Sequence, residues 1–394
     1  MSGRLSINAC GLVTAYGGTA ATAAGVFAGD PSALSWREDL LADRRVLVGA
    51  LRAPLPDLPA GLEAYASRNN RLMFAALREI TGPLAAARRR FGPGRVAVVL
   101  GTSTGGISEG EAALAAVESG AGWPAGYDYR MQELGGLAEC AARVLELEGP
   151  AYTVGAACAS SAKAFAAARR LIRAGVVDAA VVGGADTLCL TTLAGFDSLG
   201  ALAPGRCNPF SRHRCGITIG EGASAFLLSP DPGPVVLSGI AETSDAHHPT
   251  APDPAGIGVV AALRGALDDA GLAPDAIGAI NLHGTATPLN DAAESRAMAE
   301  VFGTAVSCAS TKPLTGHLLG AAGGVGIGLG WLSLVTPGHP LPPHLWDGAA
   351  DPELPALAFT QPGARLAPGR AVLCATFGFG GANVVAVLAG GDPS

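Results

Sequence analysis

The sequence contains little charge. Only 15% of its 394 residues are Asp, Glu, Lys or Arg, whereas 49% are hydrophobic. Globular domains usually contain about 25% charged residues. This balance excludes an intrinsically disordered chain, which needs low hydrophobicity and high net charge. It predicts a protein that self-associates through a large apolar interface, and the length allows two or three domain-sized units.

The sequence also lacks an excess of basic residues and lacks any CxxC pair. Its net charge is −7, so no global basic field indicates nucleic acid as a partner. The eight cysteines indicate neither a disulfide framework nor a zinc ribbon, and a cytoplasmic location fits them best. Residues 1–18 contain no apolar run of signal-peptide length before a cleavage site, so we expect no secretory leader.

One uncharged run of 18 residues, Leu318–Val335, is long enough to suggest a membrane span. It contains the spacing Gly320-x-x-x-Gly324, but six of its residues are glycine and no basic flank follows it. We therefore favour a buried glycine-rich helix and predict no membrane span.

Apolar runs without alternation predict strands that are covered on both faces. These runs are Arg95–Gly101, Asp178–Gly184, Ala276–His283 and Ala371–Phe377. Helical patterns rich in Ala, Leu and Arg lie between them, for example Arg71–Phe91 and Ser161–Ala174. Strands that alternate with helices predict an α/β layered fold.

Three motifs of the first half return in the same order in the second half. The pairs are Gly101–Thr104 with Gly284–Thr287, Ala157–Ser161 with Ser307–Thr311, and Val182–Gly184 with Gly378–Gly381. Their shared order predicts two fused α/β halves, residues 1–235 and 236–394. The Pro-rich stretch Ser229–Pro234 supplies a natural boundary.

Four segments contain residues that could do chemistry. In the first, Cys158 follows an extended run and precedes a helical pattern, so the helix N-terminus could stabilise a thiolate. The alternative is a buried structural cysteine. In the second, His283 ends a predicted strand, with Thr285 and Thr287 beyond it. The alternative is a histidine that is hydrogen-bonded locally.

The third segment places Lys312 and His317 around a loop before the glycine-rich helix, which suggests a buried polar network. A surface lysine is the alternative. The fourth, Thr376–Asn383, is a glycine-rich loop whose N–H groups suit an oxyanion hole or a simple turn. This loop has neither the lysine of a P-loop nor the spacing of a dinucleotide fingerprint.

One cysteine with two separate histidines is a general pattern for nucleophilic catalysis. Together the four segments resemble the active-site blocks of the β-ketoacyl-ACP synthases, condensing enzymes of thiolase fold, and the similarity runs from Gly11 to about Leu388. Gly101–Gly106, Asn208–Ala223 and Ser244–Pro252 add to it. The resemblance implies an αβαβα arrangement of two halves. His317 points to the elongating enzymes, since the initiating type carries Asn there.

The resemblance implies a ping-pong Claisen condensation. Cys158 accepts an acyl chain from an acyl carrier protein, and His283 and His317 bind the carbonyl of a malonyl-carrier thioester that loses CO2. The N–H groups of Cys158 and Phe379 hold an oxyanion, and Phe379 also matches a gating aromatic. Lys312 sets the local charge and the histidine tautomers, with Glu294 as its expected ion partner.

The substrate-binding positions that the resemblance implies are Thr104, His248, Thr285, Thr287, Phe377 and Asn383. Thr285 and Thr287 match positions that contact the phosphopantetheine arm of the carrier, and Asn383 braces the glycine-rich loop. Thr104 matches the wall of the acyl pocket, where type II enzymes have Ile, so the smaller and more polar side chain should change which acyl chains fit. No metal and no cofactor beyond the carrier's arm are expected.

Carrier proteins are acidic, so this acidic chain needs a local basic patch for docking. The candidates are Arg68, Arg71, Arg130 and Arg206, with ordinary surface arginines as the alternative. The chain departs from the family pattern PFDxxRDGF at Ser211, Cys215 and Ile217, which puts local salt bridges in doubt. Cys207, His213 and Cys215 lack a fourth ligand at suitable spacing for a metal. The sequence looks most like the ketosynthases of aryl polyene gene clusters.

Three other functions compete with a polyene or related polyketide ketosynthase. A housekeeping fatty-acid elongating synthase shares the catalytic residues. A thiolase needs a second reactive cysteine where this chain has GFGGAN. A largely non-catalytic subunit of the chain-length-factor kind lacks the nucleophile. The chain itself is expected to form a homodimer, or a heterodimer with such a subunit.

Overall fold

The computed structural model describes residues 4–391. Its strands are β1 (Ser6–Val13), β2 (Ser35–Arg37), β3 (Val46–Val48), β4 (Val96–Gly101), β5 (Ala151–Val154), β6 (Ala179–Asp186), β7 (Gly222–Ser229), β8 (Val235–Ser244), β9 (Ile277–Asn281), β10 (Ser307–Ala309), β11 (Ala358–Phe359), β12 (Ala371–Gly378) and β13 (Ala382–Gly390).

Helices connect most of these strands, as an α/β fold requires. They are α1 (Thr19–Ala28), α2 (Arg68–Arg78), α3 (Thr81–Phe91), α4 (Ile107–Glu118), α5 (Gly136–Leu145), α6 (Ser160–Arg173), α7 (Leu190–Ser198), α8 (Ile257–Ala270), α9 (Pro288–Phe302), α10 (Lys312–Thr315) and α11 (Ala322–Val335).

The strand order is the same in the two parts of the chain. Eleven strands are hydrogen-bonded in the order β11-β10-β9-β12-β13-β8-β1-β7-β6-β4-β5. Read outward from the centre, the first part runs β1-β7-β6-β4-β5 and the second β8-β13-β12-β9-β10. The two parts join where Ser6 pairs with Val236 and Ile7 with Val235. The division at 235/236 itself stays a prediction.

Helices form three layers around these strands. Helices α6 and α11 lie against each other and contact strands of both parts, so they form the middle layer. Helices α2 and α5 cover the outer face of the first part, and α8 covers that of the second. Each layer has its own apolar core, and in the middle one Phe165 and Phe226 pack edge to face at 5.0 Å between ring centroids. The predicted αβαβα arrangement is confirmed.

The glycine-rich run forms a buried helix of the middle layer, as we favoured. A Cβ atom on Gly323 would lie 2.8 Å from the Ala162 Cβ of α6, and one on Gly324 would lie 2.1 Å from Ser224 Oγ. Glycine therefore permits close approach of α11 to its neighbours. Among residues 4–391, no helix has the length and apolar character needed to cross a membrane.

Two predicted elements end differently in the structure. The helix expected over Arg71–Phe91 is split into α2 and α3. Pro83 explains the break, because it has no N–H for the carbonyl of Glu79 and is tolerated only in the first turn of a helix. The strand expected to reach His283 ends at Asn281, so His283 lies in the loop that follows.

Candidate active site

Cys158 lies in a sharp turn between a strand and a helix. Strand β5 ends at Val154 and α6 begins at Ser160. Between them, Ala157 adopts a φ of 45°, which is uncommon for a residue with a Cβ atom. The turn leaves Cys158 only 7% exposed and places its Sγ 3.1 Å from Nε2 of His317.

The surroundings of Cys158 favour the neutral thiol at rest. Burial raises the pKa of the Cys158 thiol to about 12, although Lys312 and the N–H groups of Cys158 and Phe379 act in the opposite direction. The expected thiolate at a helix N-terminus is thus not the resting form, because burial outweighs the favourable dipoles. The N–H groups of Cys158 and Phe379 nevertheless lie within hydrogen-bond reach of the sulfur.

His283 is held by a buried carboxylate. The N–H groups of His283 and Gly284 donate to the two oxygens of Glu294, each at 2.7 Å. Glu294 is fully buried in α9, and burial raises the pKa of its carboxyl to about 7. Glu294 therefore fixes the backbone of the loop that carries the histidine.

Lys312 interacts with this loop from the other side. Its ammonium donates to the carbonyl oxygen of His283, and burial lowers the pKa of the lysine. The prediction of a direct ion pair between Lys312 and Glu294 is wrong. Within the described part of the chain, the ammonium of Lys312 has no Glu294 carboxylate oxygen within 4.0 Å. Glu294 already accepts two backbone N–H groups, so the two charges interact only at longer range.

His317 is held by backbone pairing with the segment before β7. Its N–H donates to the carbonyl of Thr218 at 2.6 Å, and its carbonyl accepts from Gly220 at 2.9 Å. The His283 and His317 rings lie edge to face, 5.4 Å apart between centroids. Burial holds the pKa of both histidines well below the usual value, so both rings are neutral near pH 7.

Cys158, His283 and His317 line one cavity of about 280 Å³, whereas Lys312 and Glu294 do not. The predicted site residues on its wall are Cys158, His283, Thr285, Thr287, His317, Phe377, Phe379 and Asn383. The hydroxyls of Thr285 and Thr287 lie 2.9 Å apart. The Asn383 amide donates to Asp245 at 2.6 Å, which ties the glycine-rich loop to the segment after β8. The structure thus brings together residues from the four segments that the sequence singled out.

Gly378 brings the glycine-rich loop against the turn of Cys158. A Cβ atom on Gly378 would lie 2.9 Å from the carbonyl oxygen of Ala156 and 3.3 Å from the nitrogen of Cys158. The next residue, Phe379, is 38% exposed at the cavity mouth and packs against Phe196 at 5.5 Å between ring centroids. Phe379 thus lines the same cavity as Cys158, and its role as a gating aromatic stays a prediction.

Two predicted substrate-binding residues do not line this cavity. Thr104 is buried, and both its N–H and its hydroxyl donate to the Asp186 carboxylate at 2.9 Å. Its role as a pocket wall stays a prediction. His248 is exposed, and its Nδ1 accepts from the N–H groups of Thr250 and Ala251 at 3.2 Å. His248 therefore supports a loop in which Thr250 and Ala251 line the cavity.

Three of the four candidate docking arginines form ion pairs. Arg68 contacts the buried carboxylate of Glu221 at 2.6 Å, so its charge is largely structural. The other two pairs are Arg71 with Asp57 at 3.2 Å and Arg130 with Asp128 at 2.8 Å. Arg206 is exposed and, among residues 4–391, has no ion pair within 4.0 Å. Arg206 is therefore the strongest candidate of the four.

The segment that departs from the family pattern keeps its polar contacts by other means. The Ser211 hydroxyl donates to Asp347 at 2.9 Å, and Arg214 pairs with Asp351. Ile217 lines the same cavity as Cys158, His283 and His317. No cluster of three potential metal ligands occurs in the described residues, those around Cys215 included.

Two buried aspartates that were not predicted from the sequence shape the site. Asp291 accepts from the N–H groups of Phe210 at 2.7 Å and Ala286 at 3.2 Å, two residues with φ values of 62° and 64°. Burial raises the pKa of its carboxyl to about 6. Asp186 accepts from Gly320 at 2.5 Å, in the loop that follows His317. Asp291 lies three residues before Glu294, and that spacing on one helix was the available signal.

Two family models match the chain. The model described as beta-ketoacyl synthase, N-terminal domain, matches residues 71–232, and the one described as beta-ketoacyl synthase, C-terminal domain, matches residues 235–340. The 3-oxoacyl-[acyl-carrier-protein] synthase 2 of Synechocystis sp. is 34% identical over 259 residues, which covers 61% of this chain and 61% of the relative. The match thus spans less than two thirds of that curated relative.

Two solved structures resemble the whole chain. The ketosynthase ApeO in complex with its chain length factor ApeC, from Xenorhabdus doucetiae, is 41% identical with a TM-score of 0.93 and 98% of both chains covered. The ishigamide ketosynthase/chain length factor is 27% identical with a TM-score of 0.86, and again 98% of both chains is covered.

Proposed function

Because the chain belongs to the β-ketoacyl synthase family, we propose that it catalyses a decarboxylative Claisen condensation. The acyl group on Cys158 joins the two-carbon unit of a malonyl-carrier to give a β-ketoacyl-carrier. The observation that supports this most directly is the buried contact of 3.1 Å between Cys158 Sγ and His317 Nε2, with His283 beside it.

In the first half-reaction, Cys158 takes the acyl chain from a carrier thioester. Burial holds the pKa of its thiol near 12, so the proton must leave as the sulfur attacks. Nε2 of neutral His317 is placed to accept that proton and to pass it to the departing thiolate of the carrier's arm. The N–H groups of Cys158 and Phe379 stabilise the negative oxygen of the tetrahedral intermediate.

In the second half-reaction, a malonyl-carrier enters the same cavity. The C–C bond to the carboxylate breaks, CO2 leaves, and the bonding electrons form an enolate. Once Cys158 is acylated, Nε2 of His317 no longer accepts from the thiol, so His283 and His317 can each carry the ring proton on Nε2 and donate hydrogen bonds to the enolate oxygen. The carbanion attacks the acyl carbon, the C–S bond breaks with its electrons on the sulfur of Cys158, and this sulfur takes up a proton from water to restore the thiol. The Thr285 and Thr287 hydroxyls hold the phosphopantetheine arm, and the chain needs no other cofactor.

The partners are an acyl carrier protein and a second subunit of the same fold. Arg206 provides unpaired positive charge for an acidic carrier. Strand β5 is the last strand in the sheet order, and its Tyr152 is 38% exposed, so this edge can pair with another subunit. The partner is a second copy or, as in the ApeO complex, a chain length factor. The eight free cysteines favour the cytoplasm.

The pathway is polyene or related polyketide biosynthesis, with fatty-acid elongation as the alternative. The test is a condensation assay with malonyl-carrier and a panel of acyl-carriers, using the protein together with any subunit that co-purifies. A β-ketoacyl-carrier whose formation is abolished by His283→Ala supports the proposal, and the preferred acyl chain separates the two pathways. A fully folded complex that forms no product from any donor refutes it and leaves a non-catalytic subunit as the function.

A further inference from the structure

We propose that His344 is a positioning residue for His283. It lies outside the cavity, and the neutral imidazole ties together the two segments that enclose the His283–Gly284 turn. This inference rests on the proposed condensation, because it concerns the histidine that acts in the second half-reaction.

The His344 ring is buried and hydrogen-bonded at both nitrogens. Its Nδ1 accepts from the N–H of Ser310 at 3.1 Å. A neutral ring with Nδ1 as acceptor carries its proton on Nε2, and this nitrogen lies 3.2 Å from the carbonyl oxygen of Pro209. The ring stacks on Phe359 at 4.1 Å between centroids with an interplanar angle of 12°. His344 is only 6% exposed, so this geometry is fixed by packing.

Ser310, the first of these two partners, contacts the turn that carries His283. The hydroxyl of Ser310 donates to the carbonyl oxygen of Gly284 at 2.7 Å. Lys312, which donates to the carbonyl of His283, directs its own N–H to the same hydroxyl at 3.4 Å. Movement of Ser310 therefore displaces contacts on both sides of the His283 peptide.

Pro209, the second partner, precedes a residue that packs against the opposite side of the same turn. Pro209 precedes Phe210, whose φ of 62° is held by the Asp291 carboxylate. The Phe210 ring is so close to Gly284 that a Cβ there would lie 3.0 Å from ring atom Cε2 and 2.6 Å from the Cβ of Ser310. The turn after His283 is thus enclosed between the two segments that His344 joins.

Only a neutral histidine satisfies both neighbours, because one ring nitrogen must accept and the other must donate. Burial lowers the pKa of His344 to about 4, which keeps the ring neutral near pH 7. Phenylalanine preserves the stacking but removes both hydrogen bonds. Asparagine places an amide oxygen near the Nδ1 position and can still accept from Ser310.

The test measures the two half-reactions separately in wild type, His344→Phe and His344→Asn. Single-turnover acylation of Cys158 is followed by intact-protein mass, and condensation by product formation with malonyl-carrier. Misplacement of a catalytic group by a fraction of an ångström costs about tenfold to a hundredfold in rate. We expect this loss in the condensation kcat of His344→Phe, with acylation changed less than about threefold. His344→Asn should recover much of the loss.

Parallel loss of both half-reactions in the variants overturns the inference, because a general structural role predicts that result. Unchanged condensation in His344→Phe overturns it as well. If His344→Phe does not fold, the comparison of His344→Asn and His344→Gln decides: equal condensation rates in these two contradict a specific contact to Ser310. Failure of the proposed function is distinguishable, because in that case wild type itself forms no product.

Discussion

Substitution of Gly378 by alanine tests whether the glycine-rich loop and the turn of Cys158 form one oxyanion hole. The new Cβ would lie 2.9 Å from the Ala156 carbonyl oxygen and 3.1 Å from the nitrogen of Ala159. Both contacts are backbone atoms, so neither side can rotate away. The loop must retreat from the turn by about 0.5 Å, which is the tolerance of a preorganised site.

The retreat separates the N–H of Phe379 from the N–H of Cys158. Loss of one oxyanion donor typically lowers kcat by about 10²- to 10³-fold, or about 3–4 kcal/mol of transition-state stabilisation. Overpacking of this kind costs about 1–3 kcal/mol of folding stability. We therefore expect a folded variant that acylates Cys158 at least tenfold more slowly.

The assay is single-turnover acylation by intact-protein mass, with urea unfolding on the same samples. Gly94→Ala is the matched control, because a Cβ there has no atom within 4 Å and the residue lies far from the cavity. A Gly378→Ala variant that acylates at the wild-type rate, while Gly94→Ala behaves as expected, contradicts the assignment of Phe379 as an oxyanion donor.

Further predictions concern Arg68, Arg206, Asp186 and His344. Arg68→Ala should lower the free energy of unfolding by about 2 kcal/mol, because it leaves the buried carboxylate of Glu221 without its ion-pair partner. Arg206→Ala should change the free energy of unfolding by less than about 0.5 kcal/mol. Urea unfolding measures both variants, and equal effects contradict the structural role of Arg68. Arg206→Ala should instead raise the KM for the carrier substrate, most at low salt. Asp186→Asn should lower the free energy of unfolding by about 3 kcal/mol, because an amide nitrogen cannot accept from the N–H groups that this carboxylate binds. A loss below about 1 kcal/mol in urea unfolding contradicts the importance of these hydrogen bonds. Burial lowers the pKa of His344 to about 4, so below about pH 6.5 the histidine binds a proton in the unfolded state but not in the folded state. As pH falls from about 6.5 to about 4, the difference in unfolding free energy between wild type and His344→Phe should therefore shrink by about 3 kcal/mol. A difference that does not change with pH contradicts a buried neutral ring.

The candidate catalytic residues could be selected from the sequence because each lies in a local pattern. Cys158 precedes a helix, His283 follows a strand, and Lys312 and His317 flank a turn before a glycine-rich run. These patterns depend on neighbours within a few positions, so they single the residues out, but each left a structural alternative open and the roles were implied by the family resemblance. The α/β layered fold could also be predicted from local patterns, because apolar runs typical of buried strands alternate with helical patterns.

Contacts between distant segments could not be predicted in this way. Arg68 and Glu221 are 153 positions apart, and Asp186 and Gly320 are 134 apart. Nothing local distinguishes an arginine that docks a partner from one that neutralises a buried carboxylate. The family resemblance implied a pairing of Lys312 with Glu294, but Glu294 accepts backbone N–H groups of His283 and Gly284 instead.

The central claim is that Cys158 holds the growing acyl chain. The most direct measurement is intact-protein mass spectrometry of wild type and Cys158→Ala after incubation with acyl-carrier thioesters. We predict a mass increase of one acyl group on wild type and none on the variant. Equal acylation of both proteins, or no acylation of a correctly assembled wild-type complex by any donor, contradicts the account.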